Sequence, residues 1–147
     1  MITTRRCLSR PLLALMGALA VSASSPAPAS EPALPERPVP CDKPAYLVVI
    51  ATITDPEKSR AYVNALRAAG LYPALDGFYI TSGKSAEVLE GKVLKDSPIV
   101  VAKFPCAEAA RRFWYSDVYQ KKILPLRAGA GTFEVAIFEE RIDAMRP

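Results

Sequence analysis

The chain has 147 residues, half of them apolar, which is room for one domain of ordinary size with a buried core. Its formal charge of +4 is concentrated at one end. Three of the 19 Lys and Arg residues (Arg5, Arg6 and Arg10) fall in the first ten positions, while all 15 acids lie at or beyond Glu31. Without that end, sixteen basic residues face fifteen acidic ones, and the balance of +1 gives no electrostatic ground for nucleic acid or an anionic membrane as partner.

The first predicted element is a secretory signal peptide over residues 1–29. A positively charged start, "MITTRRCLSR", precedes the apolar run "PLLALMGALAV" and then the small-residue cleavage sites "VSA" and "APA". The run spans only Pro11–Val21, far short of the ~20 residues that cross a bilayer, so no membrane span is expected after cleavage. The expected location is therefore periplasmic or secreted. "TRRCLSR" matches a twin-arginine signal only in part, and the general secretory route is the preferred reading. Cys7 precedes the apolar run instead of ending it, and is removed with the leader.

Residues 30–44, "SEPALPERPVPCDKP", hold five prolines and read as an extended linker. The domain proper is expected over residues 45–141, followed by a short tail over 142–147. "AYLVVIATI" (Ala45–Ile53) is a continuous β-branched run, the pattern of a strand apolar on both faces. "TDPEKSRAYVNALRAAG" follows as a helix. Thr54 and Glu57 have capping-box spacing, Asp55 is the alternative cap, Pro56 suits the first turn and Gly70 the end. Tyr62, Ala65, Leu66 and Ala69 mark its apolar face.

A second strand is predicted in "GFYITSG", turning at Gly83 and Lys84 into "AEVLEG", and a third in "PIVVAKFP" (Pro98–Pro105). In "FPCAEAARRFWYSDVYQ", Ala109, Ala110, Phe113 and Trp114 form a helical stripe opposite Glu108, Arg111 and Arg112, with Tyr115 turned to water or a partner. "GTFEVAIFEE" (Gly131–Glu140) alternates as a closing strand. The order β-α-β-β-α-β is an α+β, ferredoxin-like unit. Its helices cover one face of the sheet. The first and third strands are apolar on the other face as well, so a second copy packed sheet to sheet, a homodimer, is expected.

"YLVVIATITDPEKSRAYV", "SAEVLEG", "VAKFP", "EAARRFWYSDVYQ" and "LPLR" together resemble the DUF1330 family across Tyr46 to Glu139. The resemblance implies a dimeric α/β barrel and no established reaction. It departs from the family pattern at Cys106, where the family has serine at a helix cap, and at Asp117-Val118 in place of Pro-Glu. It also has one extra residue between Tyr119 and Pro125.

The chain has no histidine, which removes Ser-His-Asp and Cys-His catalysis, a histidine-held haem and a histidine-bound zinc. No metal or cofactor is indicated. "TSGKSAE" lacks the first glycine of a phosphate-binding loop and reads as a hairpin turn. The polar constellation singled out is Glu90, Tyr119 and Arg127 with Trp114 beside them. Arg127 can grip a carboxylate and a tyrosine can donate a proton. The competing reading, which the residues favour, is a structural hydrogen bond and an ion pair at the dimer contact.

In this topology the start of the first strand lies beside the end of the third. Cys41 and Cys106 therefore fall at one sheet edge, and an intrachain disulfide is expected over free thiols or an intermolecular link. The functional expectation is an exported homodimer that binds a small organic molecule or serves as a scaffold. The alternative is a cofactor-independent oxygenase or isomerase with a Tyr, Arg and carboxylate pocket.

Overall fold

The structure, a computed structural model, describes residues 33–38 and 40–141. The expected signal peptide and the C-terminal tail lie outside the described residues.

Strands β1 (Ala45–Ile53), β2 (Phe78–Gly83), β3 (Ile99–Phe104) and β4 (Gly131–Glu139) form one sheet in the order β2-β3-β1-β4, each neighbouring pair antiparallel. Helix α1 (Pro56–Ala68) and the short α2 (Leu71–Ala74) connect β1 to β2. Helix α3 (Ala107–Tyr115), a π-helical turn (Val118–Ile123) and a 3-10 turn (Leu124–Arg127) connect β3 to β4. This is the ferredoxin-like α+β unit read from the sequence.

β1 is central because both parities of its side chains find apolar neighbours. Leu47 lies between Ala102 and Ile137, and Val49 between Val100 and Val135, on the face that the helices cover. Ala45, Leu47, Ala102 and Phe104 are buried there. On the opposite face, Tyr46 lies between Lys103 and Phe138, Val48 between Val101 and Ala136, and Ile50 beside Ile99. Phe78 and Phe138 on this face are 56% and 55% exposed.

Helix α1 starts at Asp55 and not at Thr54. The Asp55 carboxylate accepts the N–H groups of Glu57 and Lys58, each at 3.1 Å. The bond from Lys58 above all holds that carboxyl below its ordinary value. Gly70, at φ +65°, ends the helix in the left-handed conformation that glycine adopts without penalty. Leu66 faces the core, with Tyr62, Ala65 and Ala69 half-buried beside it.

Helix α3 lays Ala109, Ala110 and Phe113 on the sheet, while Tyr115 points to solvent. Two alanines let its backbone come close to the strands. Glu108, Arg111 and Arg112 are exposed, and their ion pairs of 3.8 and 3.4 Å contribute little.

One expectation is revised. The chain makes no tight turn at Gly83-Lys84: it leaves β2 there and runs through the exposed loop 84–98 to β3. Leu89 and Val93 in that loop alternate with Glu87, Glu90, Lys92 and Lys95, and no coherent apolar face is left for pairing. The described part of the Pro-rich segment lies against the domain. Pro38 is buried, Arg37 pairs with Asp76, and Arg112 Nη1 donates to the Glu36 carbonyl at 3.0 Å.

A disulfide joins Cys41 to Cys106 with Cα atoms 5.2 Å apart. Antiparallel pairing of Ala45 with Phe104 brings the two cysteines together. Because the bridge closes a separation of 65 residues, loop-closure entropy assigns it about 4 kcal/mol. Cys41→Ser is expected to lower unfolding stability by that order in urea titrations under oxidising conditions. An unchanged midpoint would mean that the bridge does not constrain the unfolded chain.

Candidate functional site

A cavity of about 290 Å³ lies between the helix-covered face of the sheet and the helix layer. Val49 and Ala51 of β1 and Val63 and Leu66 of α1 supply apolar walls. Tyr72, Tyr79, Phe113, Trp114, Tyr119 and Phe133 bring large rings to the same lining. The first five belong to a continuous stack. Tyr72 lies 4.6 Å from both Tyr79 and Phe113, and Phe113 lies 5.5 Å from Phe104 and 5.0 Å from Tyr119. Each such pair adds about 0.5–1.5 kcal/mol beyond its burial.

Tyr119 is positioned by Ser116. The Ser116 hydroxyl donates to the Phe113 carbonyl at 2.9 Å and accepts the Tyr119 N–H at 3.2 Å, closing α3 and opening the π-helical turn with one side chain. The Leu124 N–H bonds back five residues to the Tyr119 carbonyl, the spacing of a π-helix, which takes up an extra residue without unwinding the chain. The Tyr119 and Tyr62 hydroxyls meet at 2.9 Å, joining this turn to α1.

Arg127 comes from the following 3-10 turn. The turn is anchored by Ala130, whose N–H donates to the Arg127 carbonyl at 3.0 Å. The Ala130 carbonyl in turn accepts the N–H groups of Thr54 and Asp55 at 2.9 and 3.1 Å. β4 then passes so near β1 that a Cβ on Gly131 would fall 2.0 Å from the Thr52 carbonyl oxygen; only glycine fits there. The Arg127 guanidinium lies 4.3 Å from the Phe133 ring, 5.6 Å from Tyr62 and 5.8 Å from Trp114. These are cation–π distances.

Trp114, Tyr119 and Arg127, singled out in the sequence, thus line one cavity. Glu90 is not among its lining residues and stands exposed in the loop 84–98. Sequence reasoning passed over Tyr72 and Tyr79 and read Tyr62 only as part of a helix face. For Tyr72 a signal existed in "LYPAL", where Leu71 and Leu75 recur at helical spacing and both are buried. For Tyr79 none existed: a bulge between Tyr79 and Thr81 puts these two residues on opposite faces, against the simple alternation of a strand.

Burial pushes the phenols of Tyr72 and Tyr119 well above their ordinary value. For Tyr119 the neighbouring Tyr62 adds to the effect and the Arg127 charge opposes it. Tyr79 is raised chiefly by burial. Both Tyr72 and Tyr119 therefore enter any chemistry as neutral groups near neutral pH. Among the described residues no group of His, Cys, Asp or Glu is placed to hold a metal ion, and no helix is long and apolar enough to cross a membrane.

Fold and site define an α+β, ferredoxin-like domain with an aromatic, arginine-bearing cavity under its helix layer. The chain belongs to the DUF1330 family: the model of this domain of unknown function matches residues 44–141. Among solved structures, it is similar to the RPA0582 protein of unknown function from Rhodopseudomonas palustris. The identity is 16% over 71% of this chain and 85% of that one, with a TM-score of 0.52. The methylated form of RPA0582 gives 15% identity, the same coverage and a TM-score of 0.53. SnoaB, a cofactor-independent oxygenase from Streptomyces nogalater, is 18% identical over 71% of this chain and 100% of that one, at a TM-score of 0.47. The RPA0582 likeness speaks for the fold alone. No curated protein matches the chain.

The raised phenol of Tyr119 has a signed consequence. Below the ordinary phenol value of 10.0 the group is protonated folded and unfolded, and contributes no pH dependence. Above it the unfolded phenol releases its proton while the buried one does not, so stability is lost as pH rises. Tyr119→Phe is expected to cost about 1 kcal/mol at neutral pH, through the lost bond to Tyr62. Its stability should then fall less steeply than that of the wild type in alkali. Parallel slopes in denaturant titrations would contradict this.

Proposed function

We propose that the protein is an exported homodimer that binds a small organic molecule in the cavity beneath α1. The observation that carries this is the cavity itself. At about 290 Å³, with apolar walls and a few polar groups gathered at Tyr62, Tyr119 and Arg127, it has the make-up of a compact ligand site. A protein interior ordinarily leaves few voids larger than a water molecule.

Binding is favoured over catalysis by the lining. Proton abstraction needs a base that is unprotonated near neutral pH. The lining holds no carboxylate, and burial keeps Tyr72 and Tyr119 protonated. Glu90, the carboxylate of the oxygenase or isomerase alternative, lies outside the lining.

The leader and the disulfide support export. Phe78, Tyr46 and Phe138, in one row with Lys103 whose ammonium lies 5.7 Å from the Tyr46 ring, and the apolar Val48 and Val101 beside them support pairing of two sheets about a two-fold axis.

Native mass spectrometry of protein taken from its export compartment tests the reading. The expected species is a dimer of the mature chain carrying an adduct that is lost on denaturation. The single tryptophan, Trp114, lines the cavity, so adding the recovered compound back to stripped protein should change its fluorescence. A dimer with no adduct, and no fluorescence response to a panel of small aromatic compounds, would refute ligand binding.

The dimer has its own test. Val48→Asp buries a carboxylate at the centre of the proposed interface and is expected to give a single-chain mass by light scattering, against twice that mass for the wild type. A wild type that is itself monomeric would overturn this part of the proposal.

A further inference from the structure

Charge sorts the ligands that the cavity can accept. Its lining includes two cations, Arg67 and Arg127, and no Asp or Glu. Among the described residues Arg127 makes no ion pair and no hydrogen bond through its side chain. Its contacts are with the rings of Phe133, Tyr62 and Trp114. Rings attract a guanidinium without engaging its N–H groups as a carboxylate does, so its donors are left for an acceptor that the described residues do not supply.

The tyrosine pair adds a further donor. Between the Tyr62 and Tyr119 hydroxyls, 2.9 Å apart, one proton makes the shared bond. The other phenolic proton is left to donate elsewhere. Burial keeps the Tyr119 phenol neutral and thus able to donate. Around this donor group the walls of Val49, Ala51 and Leu66 offer only apolar surface.

We infer that the cavity takes an organic anion: a compact ring system bearing one carboxylate, its oxygens received by the Arg127 guanidinium and the free proton of the Tyr62–Tyr119 pair. This rests on the small-molecule reading above and names its ligand class. The planar fork of an arginine matches the two oxygens of a carboxylate. The ring system fills the apolar walls. Cationic amines are disfavoured by Arg67 and Arg127, with no acid in the lining to offset them.

The test compares two probes of nearly equal shape, naphthoate and naphthamide, in ligand-observed NMR titrations of the mature protein at neutral pH. Naphthoate is expected to bind at least about tenfold more tightly, the range of a hydrogen bond to a charged group. Arg127→Met, which keeps much of the length and the apolar contact, is expected to abolish that preference. The wild-type comparison stands even where the variant fails to fold. Equal binding of both probes would overturn the anion inference and leave the small-molecule reading standing. Binding of neither would overturn both. A folded Arg127→Met protein that retains the preference would overturn the assignment of Arg127.

Discussion

β1 is hydrogen-bonded along both edges, to β3 and to β4, and its nine residues alternate between two environments. Ala45, Leu47, Val49 and Ala51 point under the helices, while Tyr46, Val48 and Ile50 point away from them. Because a strand has a period of two, a central strand apolar in both parities presents apolar side chains to both faces of the sheet, although Lys103 and Glu134 flank it on the face away from the helices. The chain's helices cover one face. Among the described residues the other carries no helix, and it is the face on which the proposed second copy would pack, two identical sheets related by a two-fold axis being self-complementary. The same alternation places the cavity, since the residues under α1 are those on the helix-facing parity.

The helix layer does not settle evenly on that face. Tyr72, Phe104, Phe113 and Tyr119 form a stack of rings, all buried, and pack the region between α2, α3 and the π-helical turn. Toward α1 the strands present Val49 and Ala51 instead, and the volume filled by rings on one side is left open on the other. The unfilled volume forfeits dispersion contacts that a packed core would make.

Much of the fold was legible in the sequence, since it rests on short-range pattern. The β-branched runs of β1 and β3, the cap-and-glycine punctuation of α1 and the alanine-aromatic stripe of α3 are each read within a dozen residues. Antiparallel order then brings the start of β1 to the end of β3 and predicts where Cys41 and Cys106 meet. The cap at Asp55 in place of Thr54 is a one-residue shift between two adjacent candidates of similar chemistry. The loop 84–98 is not legible from its start, because Gly-Lys-Ser has turn composition whether the chain returns at once or after a detour.

The site was less legible, because it is assembled from departures from regular structure. A bulge in β2 sends Tyr79 to the helix side, where alternation from Thr81 would have sent it to the other. Residues Val118–Ile123 form a π-helical turn and Leu124–Arg127 a 3-10 turn, and these two irregular turns decide where Arg127 stands relative to Tyr119. Had the same residues continued as an α-helix, each later side chain would have been displaced by about 100° around the axis. Ser116 and the Ala130 anchor fix the two ends of that irregular stretch, so its geometry is set by hydrogen bonds to β1's exit and α3's end and not by local propensity. Arg127 and Tyr62 therefore meet across 65 residues of sequence through a carbonyl of Ala130 that holds the backbone of Thr54 and Asp55.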